Sequence, residues 1–417
     1  MFKKISTKIK QALLQCQNEW EAAQIRFEMF HKIEPENVAW NNVATNYGFN
    51  SAAYLLALQQ SLESNVQCRY IIVYENELPQ GIAYFQLINL KDKHLNQILN
   101  SRYFESIYNR FNGQLAEINF NDKNSWLCIC GNLFVSGPYG FVLQPNLQPL
   151  AKNIFQTMVQ LVEASLPKSD KIFATVVKDL PQQNAMTSIL QQMGFIDFAI
   201  DPDMILDVKK FGSYDTYIQA FTSKYRVRAN SALQKLNDVT VCNMDAENLL
   251  RYSKPMATLL AQVIVQAPVH LASLKADYFH NLKCLMPDNF FVTGYFYNGQ
   301  LVAFTSTILS DGILHAHLVG FEYSLNKKLG LYQNMLYQLV KEAITINACQ
   351  LHLGRDAMEI KSTIGATPVT QKLFIKFGNS ITHFILDSFT HFSQPKPWVM
   401  RQPFKTQNDF ISNEVAN

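Results

Sequence analysis

Two lysines and a glycine stand at the start of a helix-forming stretch late in the chain, where they could hold a phosphate group. The turn reads Leu325-Asn326-Lys327-Lys328-Leu329-Gly330-Leu331-Tyr332. A helix N-terminus presents unpaired backbone N–H groups and the positive end of the helix dipole, so we predict that these amides face an open groove and bind an anionic carrier. The residues assigned to the loop are Lys327, Lys328, Leu329, Gly330, Leu331 and Tyr332. An ordinary strand-to-helix turn with solvated lysines explains the same residues, because a lone Gly-Lys loop is a weak motif.

Two histidines alternate along the strand that is predicted just before this turn. His315 and His317 are two residues apart, so their side chains share one face of a strand. A neutral imidazole can accept a proton near pH 7, which makes either histidine a candidate general base. Two histidines satisfied by neighbours on a half-buried sheet face are the alternative. A metal site would need a third ligand, and the sequence does not identify one.

Two further residues near the turn could move protons. Glu322 follows the strand and could relay a proton, although a solvated loop carboxylate explains it equally well. Tyr332 opens the helix and could act as a general acid, with Tyr337 as the rival position. The alternative for Tyr332 is the first turn of a buried apolar stripe.

Basic residues from two distant segments are candidates for recognising an anionic substrate. Arg226 and Arg228 lie in a predicted helix, and Arg355 and Lys361 follow the strand after the turn. Guanidinium groups match phosphate and carboxylate geometry, so a convergence of Arg228 with Arg355 would form an anion-binding cleft. Solvated helix charges are the alternative for each residue taken singly.

The elements that must position these residues form a strand, loop, helix and strand in sequence. Ile313–Phe321 is the first predicted strand and Cys349–Leu353 the second. The helix between them has apolar residues at steps of three and four, the period of one buried face. These positions are Tyr332, Met335, Leu336, Leu339, Val340, Ala343 and Ile344.

The two halves of the chain show the same order of elements: helices, a meander of strands, a glycine loop, an amphipathic helix and closing strands. In the first half the glycine loop is Ser136–Gly140, which carries no basic residue, and Met204–Val208 is the closing strand. The repeat predicts an α/β fold of two tandem domains, each a mixed, mostly antiparallel sheet flanked by helices. We expect an N-terminal helical extension at 1–33, a first domain at 34–210, a second domain at 211–394 and a C-terminal tail at 395–417.

Composition restricts the class of protein. The chain has 417 residues, 48% of them hydrophobic, and a net charge of +3, which is too small to predict DNA binding. Seven scattered cysteines indicate reduced thiols and a cytoplasmic location, and Cys128 and Cys130 are predicted to be core residues. No secretory signal or membrane span is predicted. A basic amphipathic N-terminal helix could contact a membrane surface weakly, but packing on a domain or a frayed end is favoured.

The order of elements resembles the GNAT (GCN5-related N-acetyltransferase) fold, and two copies in tandem resemble the Fem-like peptidyl and acyl transferases. Two segments are similar to motifs of that family, namely the basic helix 221–228 and the run 351–366 with Gly354-Arg355, Lys361-Ser362 and Gly365-Ala366. The architecture covers roughly residues 35 to 390. The phosphate loop departs from the usual Gln/Arg-x-x-Gly-x-Gly/Ala pattern, because it has one glycine and places Tyr332 where a small residue would stand.

The resemblance implies an N-acyltransferase that moves an acyl group from acyl-CoA, such as acetyl-CoA, to a small-molecule amine. The second domain would hold the donor as a co-substrate, with no permanently bound cofactor and no metal, and the first copy would be degenerate and act as a scaffold or on the substrate side. In that fold, backbone N–H groups of the splayed fourth strand hold the acyl carbonyl, and here that strand is Ile313–Phe321. One alternative is an aminoacyl-tRNA-dependent Fem-type peptidyltransferase. A tRNA partner is expected only under this alternative. The other is a non-catalytic binding module on the same fold.

Overall fold

A computed structural model describes residue 20 and residues 24–44, 48–90, 125–266, 271–378 and 397–405. Within these ranges the chain is mixed α/β, with strands arranged in two sheets and helices packed on them. The predicted N-terminal helix, with its membrane-surface contact, lies outside the described residues.

The strands are numbered in chain order. They are β1 (Ile25–Phe30), β2 (Val66–Glu75), β3 (Leu78–Asn89), β4 (Ser125–Cys130), β5 (Phe141–Leu143), β6 (Lys171–Pro181), β7 (Ile196–Ala199), β8 (Asp203–Asp207), β9 (Val239–Asn243), β10 (Phe290–Tyr297), β11 (Gln300–Ser310), β12 (Ile313–Phe321), β13 (Gln350–His352), β14 (Thr367–Val369) and β15 (Gln371–Phe377).

The α-helices are numbered in the same way. They are α1 (Val38–Val43), α2 (Ala52–Ser61), α3 (Ala151–Ala164), α4 (Ala185–Gln192), α5 (Tyr214–Gln219), α6 (Ser223–Gln234), α7 (Ala246–Arg251), α8 (Ser253–Ile264), α9 (Tyr278–Leu285), α10 (Tyr323–Leu329), α11 (Leu331–Thr345) and α12 (Met358–Ser362).

The first sheet has the order β1-β2-β3-β4-β6-β15-β7, with β5 added beside β3. All its described pairs are antiparallel except β4 with β6. Helix α3 packs on it through Ile154, Phe155 and Met158. Cys128 and Cys130 are buried in the same core, as predicted.

The second sheet has the order β14-β8-β13-β12-β11-β10-β9. The Asn298-Gly299 turn between β10 and β11 has φ angles of 50° and 76°, the left-handed conformation that a tight hairpin turn of this kind requires. Helix α11 covers one face of this sheet with Met335, Leu339, Val340 and Ala343, so its predicted apolar stripe is confirmed.

Two strands join a sheet that their position in the chain does not indicate. The strand predicted to close the first half is β8, which instead pairs with β13 and β14 in the second sheet. Strand β15, at the end of the second half, pairs with β6 and β7 in the first sheet. The compact units are therefore discontinuous, unlike the contiguous domains expected from the sequence: one takes its residues from 1–200, 267–278 and 371–395, the other from 201–266, 279–370 and 396–417.

The described part of the C-terminal tail is a strap on the second unit. The Phe404 ring stacks on Phe221 at 5.3 Å between centroids, and it covers Gly365, where any Cβ would overlap the ring. The Arg401 amide donates to Ser362 Oγ at 2.9 Å, and its guanidinium pairs with Glu359. The tail therefore fixes helix α12.

None of the helices in the described part of the chain is long and apolar enough to cross a membrane.

Candidate functional site

Strand β12 is only partly paired on one of its edges. It pairs with β11 from Ile313 to Phe321, whereas the parallel strand β13 pairs with it only at Ile313, Leu314 and His315. Among the described residues no strand pairs with that edge of β12 beyond His315. The two parallel strands therefore separate toward their carboxyl ends and leave backbone groups of β12 available to a ligand.

A β-bulge lies where the strands separate. Thr305 pairs with Val319 and Thr307 with Ala316, so His317 and Leu318 both stand opposite Ser306. The Leu318 amide donates to Ser306 Oγ at 3.0 Å, and Ser306 Oγ donates to the Leu318 carbonyl at 2.8 Å. A bulge turns the strand and redirects its backbone groups, and here one buried hydroxyl holds that distortion.

In the described part of the first sheet, the corresponding parallel strands do not separate. All six residues of β4 pair with the parallel strand β6. In the glycine loop that follows β4, the Gly137 amide donates to the Asp179 carboxylate at 3.1 Å, and Lys178 Nζ approaches the same oxygen at 2.8 Å. A carboxylate of the protein thus holds the amide that an anionic ligand would need.

The predicted phosphate-binding loop is helical instead. Helix α10 covers Tyr323–Leu329, so Lys327 and Lys328 lie in its last turn. Gly330, with φ of 60°, ends it in the left-handed conformation, and α11 begins at Leu331. Glu322 starts α10 as the N-cap, which explains why no loop forms.

The N-terminus of α11 is partly occupied by the chain itself. Asn326 Oδ1 accepts the Tyr332 amide at 3.0 Å, and the Asn326 carbonyl accepts the Gly330 amide at 2.7 Å. Leu329 and Leu331 are buried, and Lys328 Nζ donates to the Tyr297 hydroxyl at 2.7 Å. The prediction that these amides face an open groove is therefore wrong for Tyr332, because a neighbouring side chain caps it.

Of the two predicted histidine bases beside the opening, His315 is buried and His317 is half-buried. The rings of His315 and His352 lie 4.8 Å apart between centroids, where β12 and β13 last pair. Burial lowers the pKa of His315 to about 3 and that of His317 to about 3. Both rings are neutral at pH 7 but weakly basic, so the expectation that either accepts an amine proton near neutral pH loses its basis.

Glu322 has a structural partner for each carboxylate oxygen. It accepts from Gln262 Nε2 at 2.9 Å and from the Ser324 amide and hydroxyl. The hydrogen bonds from Gln262 and Ser324 lower the pKa of Glu322. These contacts assign Glu322 to capping α10 rather than to the proton relay predicted from the sequence.

Tyr332 lies between strand β12 and the loop after β13. Its ring is 5.7 Å from that of Phe321 at the end of β12. Burial and the Asp356 carboxylate raise the pKa of Tyr332, so its phenol keeps its proton at neutral pH. The rival Tyr337 is also buried, and burial raises the pKa of Tyr337 to about 12.

Lys361 fixes the loop after β13. Its Nζ donates to the carbonyls of Gly354 and Arg355 at 3.0 and 2.6 Å, and burial lowers the pKa of Lys361 to about 8. Its buried ammonium is therefore directed at the protein's own backbone, not at the substrate anion predicted from the sequence. The loop is strained, with φ of 65° at Asp356 and 50° at Ala357.

The remaining predicted basic residues lie on the surface of the second unit. Arg228 is exposed on α6, above the ring of Tyr225 at 5.5 Å, and its charge acts on Tyr337 of α11. Arg226 on α6 and Arg355 in the loop after β13 are half-buried. Arg228 therefore lies near α11. The loop that carries Arg355 lies near Tyr332, since the charge of Asp356 in that loop acts on Tyr332.

Sequence reasoning missed three residues of this site: Ser306, Asn326 and Asp356. Asn326 stands four residues before Gly330, a position from which a side chain can reach across a left-handed helix end, so a local signal was present. Ser306 acts through pairing between two strands, and no local pattern marks it.

Comparison with solved structures agrees with this architecture. The chain is similar to the crystal structure of FemX at 12% sequence identity, over 86% of this chain and 100% of that one, with a TM-score of 0.53. It is also similar to L-PGS from Bacillus licheniformis (10% identity, 87% and 99% coverage, TM-score 0.46). A tandem GNAT protein from the clavulanic acid biosynthesis pathway matches at 9% identity, over 85% and 99% of the two chains, with a TM-score of 0.46.

No protein-family model matches the chain, and no curated protein sequence matches it significantly. The structural likeness to FemX, together with the two sheets, shows a tandem GNAT-like, Fem-like fold, as the resemblance predicted.

Proposed function

We propose that the second unit is an N-acyltransferase that moves an acyl group from acyl-CoA to an amine in the opening between β12 and β13. The observation that carries the proposal is the loss of pairing on β12 beyond His315, combined with the bulge at His317 and Leu318. An acyl carbonyl placed against unpaired strand amides gains hydrogen-bond donors where negative charge develops during transfer. The fully paired β4 of the first sheet offers no such edge.

The reaction forms a C–N bond and breaks the C–S bond of the thioester. The amine must lose a proton, and the leaving thiolate must gain one. The phenol of the half-buried Tyr332, protonated at neutral pH, is the proton donor that meets the second requirement best. The amine proton passes to solvent, which also reprotonates the Tyr332 phenolate, and the exposed carboxylate of Asp356 attracts a cationic acceptor, since its charge reaches Tyr332.

Calorimetry with acetyl-CoA and with longer acyl-CoAs tests donor binding. We expect heat of binding and a thermal shift, and we expect the pair Lys327→Glu and Lys328→Glu to weaken binding. Lys341→Glu is the matched control, because Lys341 is exposed on α11 more than two turns after Gly330. The absence of heat and of a thermal shift at millimolar donor would overturn the acyl-CoA proposal, and equal affinity in both variants would overturn only the assignment of Lys327 and Lys328 to donor binding.

A second donor class, aminoacyl-tRNA, is supported by the capped end of α11. The pyrophosphate of acyl-CoA would be bound by amides at a helix N-terminus. At the start of α11, the Tyr332 amide already donates to Asn326. Helix α6 carries three basic residues and no acidic one: Lys224, Arg226 and Arg228. Filter binding with charged tRNA separates the donors: retention that falls with Arg226→Glu and Arg228→Glu, without any acyl-CoA heat, favours tRNA.

If neither donor binds and no turnover is detected on a panel of amines, the fold acts as a non-catalytic binding module. The low basicity of His315 and His317 is the observation that supports this outcome.

A further inference from the structure

Helix α9 carries a cysteine and a histidine one turn apart, away from β12 and β13 in the sequence. Cys284 Sγ lies 3.7 Å from His280 Nε2. Residues four apart lie on the same face of a helix, so α9 itself brings the two side chains together. Cys284 is exposed and His280 is half-buried, which places a thiol and an imidazole in contact at the surface.

A backbone carbonyl fixes which nitrogen of His280 carries the proton. Nδ1 lies 2.9 Å from the carbonyl oxygen of Ala246 in α7. A carbonyl only accepts, so Nδ1 donates, and Nε2 of the neutral ring keeps its lone pair. The Cys284 thiol is then the donor to Nε2. The arrangement is a nucleophile, a base and a third group that orients the base.

We propose that Cys284 is a reactive thiol activated by His280 and that it is a modification site for small-molecule disulfides. The thiol proton passes to Nε2, and the thiolate attacks one sulfur of the disulfide. A new S–S bond forms as the original one breaks, and the leaving thiolate takes the proton back from the imidazolium. The products are a mixed disulfide at Cys284 and one free thiol, so no further oxidant or reductant is consumed.

Two other exposed thiols, Cys242 and Cys349, are internal controls in the same molecule. The full chain is treated at pH 7 with limiting glutathione disulfide and, separately, with limiting iodoacetamide. Peptide mass spectrometry then gives the rate of modification at each cysteine. We expect Cys284 to react about tenfold faster than either control with both reagents, because a base in contact can take the thiol proton as the sulfur attacks. Equal rates at the three cysteines would overturn the proposal.

His280→Asn removes the base while keeping a side-chain donor for the Ala246 carbonyl, and a thermal melt reports whether the variant folds. The rate at Cys284 should fall to that of Cys242 in this variant. A rate that stays high would show that His280 does not activate the thiol. The modification rates and the thermal melt do not depend on an acyl donor, so their results are independent of the proposed transferase activity.

Discussion

His315 and His352 face each other at the last paired position of β12 and β13, with ring centroids 4.8 Å apart and planes at 70°. His315 is buried and His352 is half-buried at the point where the two strands begin to separate. Two charged imidazoliums at this distance would repel each other without solvent between them. The paired end of the opening is therefore built for neutral histidines.

The buried histidines should make the protein less stable in mild acid. Burial lowers the pKa of His315 to about 3 and that of His352 to about 4, against an ordinary value near 6.5. Between pH 6.5 and 4 the unfolded chain binds more protons, so the free energy of unfolding falls as the pH falls, by up to about 1.4 kcal/mol per pH unit for each histidine. Urea unfolding at pH 7, 6 and 5 measures this slope.

The variants His315→Asn and His352→Asn cannot titrate and should each flatten that slope. An identical slope in all three proteins would contradict the assignment of the acid sensitivity to this pair.

Ser306→Ala should destabilise the second unit through the bulge in β12. The substitution leaves the Leu318 amide and carbonyl without their partner, and Ser306 is fully buried, so we expect a loss of about 1–3 kcal/mol in the free energy of unfolding. Ser310→Ala in the same strand is the matched control and should cost clearly less. Chemical denaturation compares the two, and equal losses would show that the hydroxyl does not hold the bulge.

Asn326→Ala should destabilise helix α11, because it removes the acceptor for the Tyr332 amide. The expected loss is about 1 kcal/mol, the usual effect of removing a side-chain cap. Asn237→Ala, at an exposed asparagine after α6, should have little effect on the melting temperature.

Asn326→Asp separates stability from binding: it keeps the cap while it adds a negative charge, so stability should persist and affinity for an anionic donor should fall. Lost stability in Asn326→Asp would argue that the amide group itself, not its oxygen, is required.

The sequence was sufficient for the elements whose signals are local. The sequence predicts a strand over Ile313–Phe321, and β12 has the same bounds in the structure. The sequence also predicts the buried stripe of α11, because helical periodicity depends on residues that are close together in the chain.

Features that depend on distant partners were not predictable in the same way. The sequence near β8 does not show that its partners are β13 and β14, since strand pairing is decided by the whole sheet. Lys361 resembles an anion-binding residue until its burial and its two backbone acceptors are known. The segment Tyr323–Leu329 became a helix because Glu322 caps it and Gly330 ends it, whereas the two lysines had suggested a loop.

Lys361→Met should reveal the buried ammonium through the pH dependence of stability. Burial lowers the pKa of Lys361 to about 8, against about 10.4 in an unfolded chain. Between these values the unfolded chain binds more protons at this residue, so the stability of the natural protein should rise relative to Lys361→Met as the pH goes from 8 to 10. The change is up to about 1.4 kcal/mol per pH unit, and urea unfolding of both proteins at pH 7, 8.5 and 9.5 measures it.

Lys341→Met, at an exposed lysine of α11, is the control: its free energy of unfolding should differ from that of the natural protein by the same amount at each pH. If the difference for Lys361→Met is also constant, the ammonium is solvated and does not hold the Gly354–Arg355 loop.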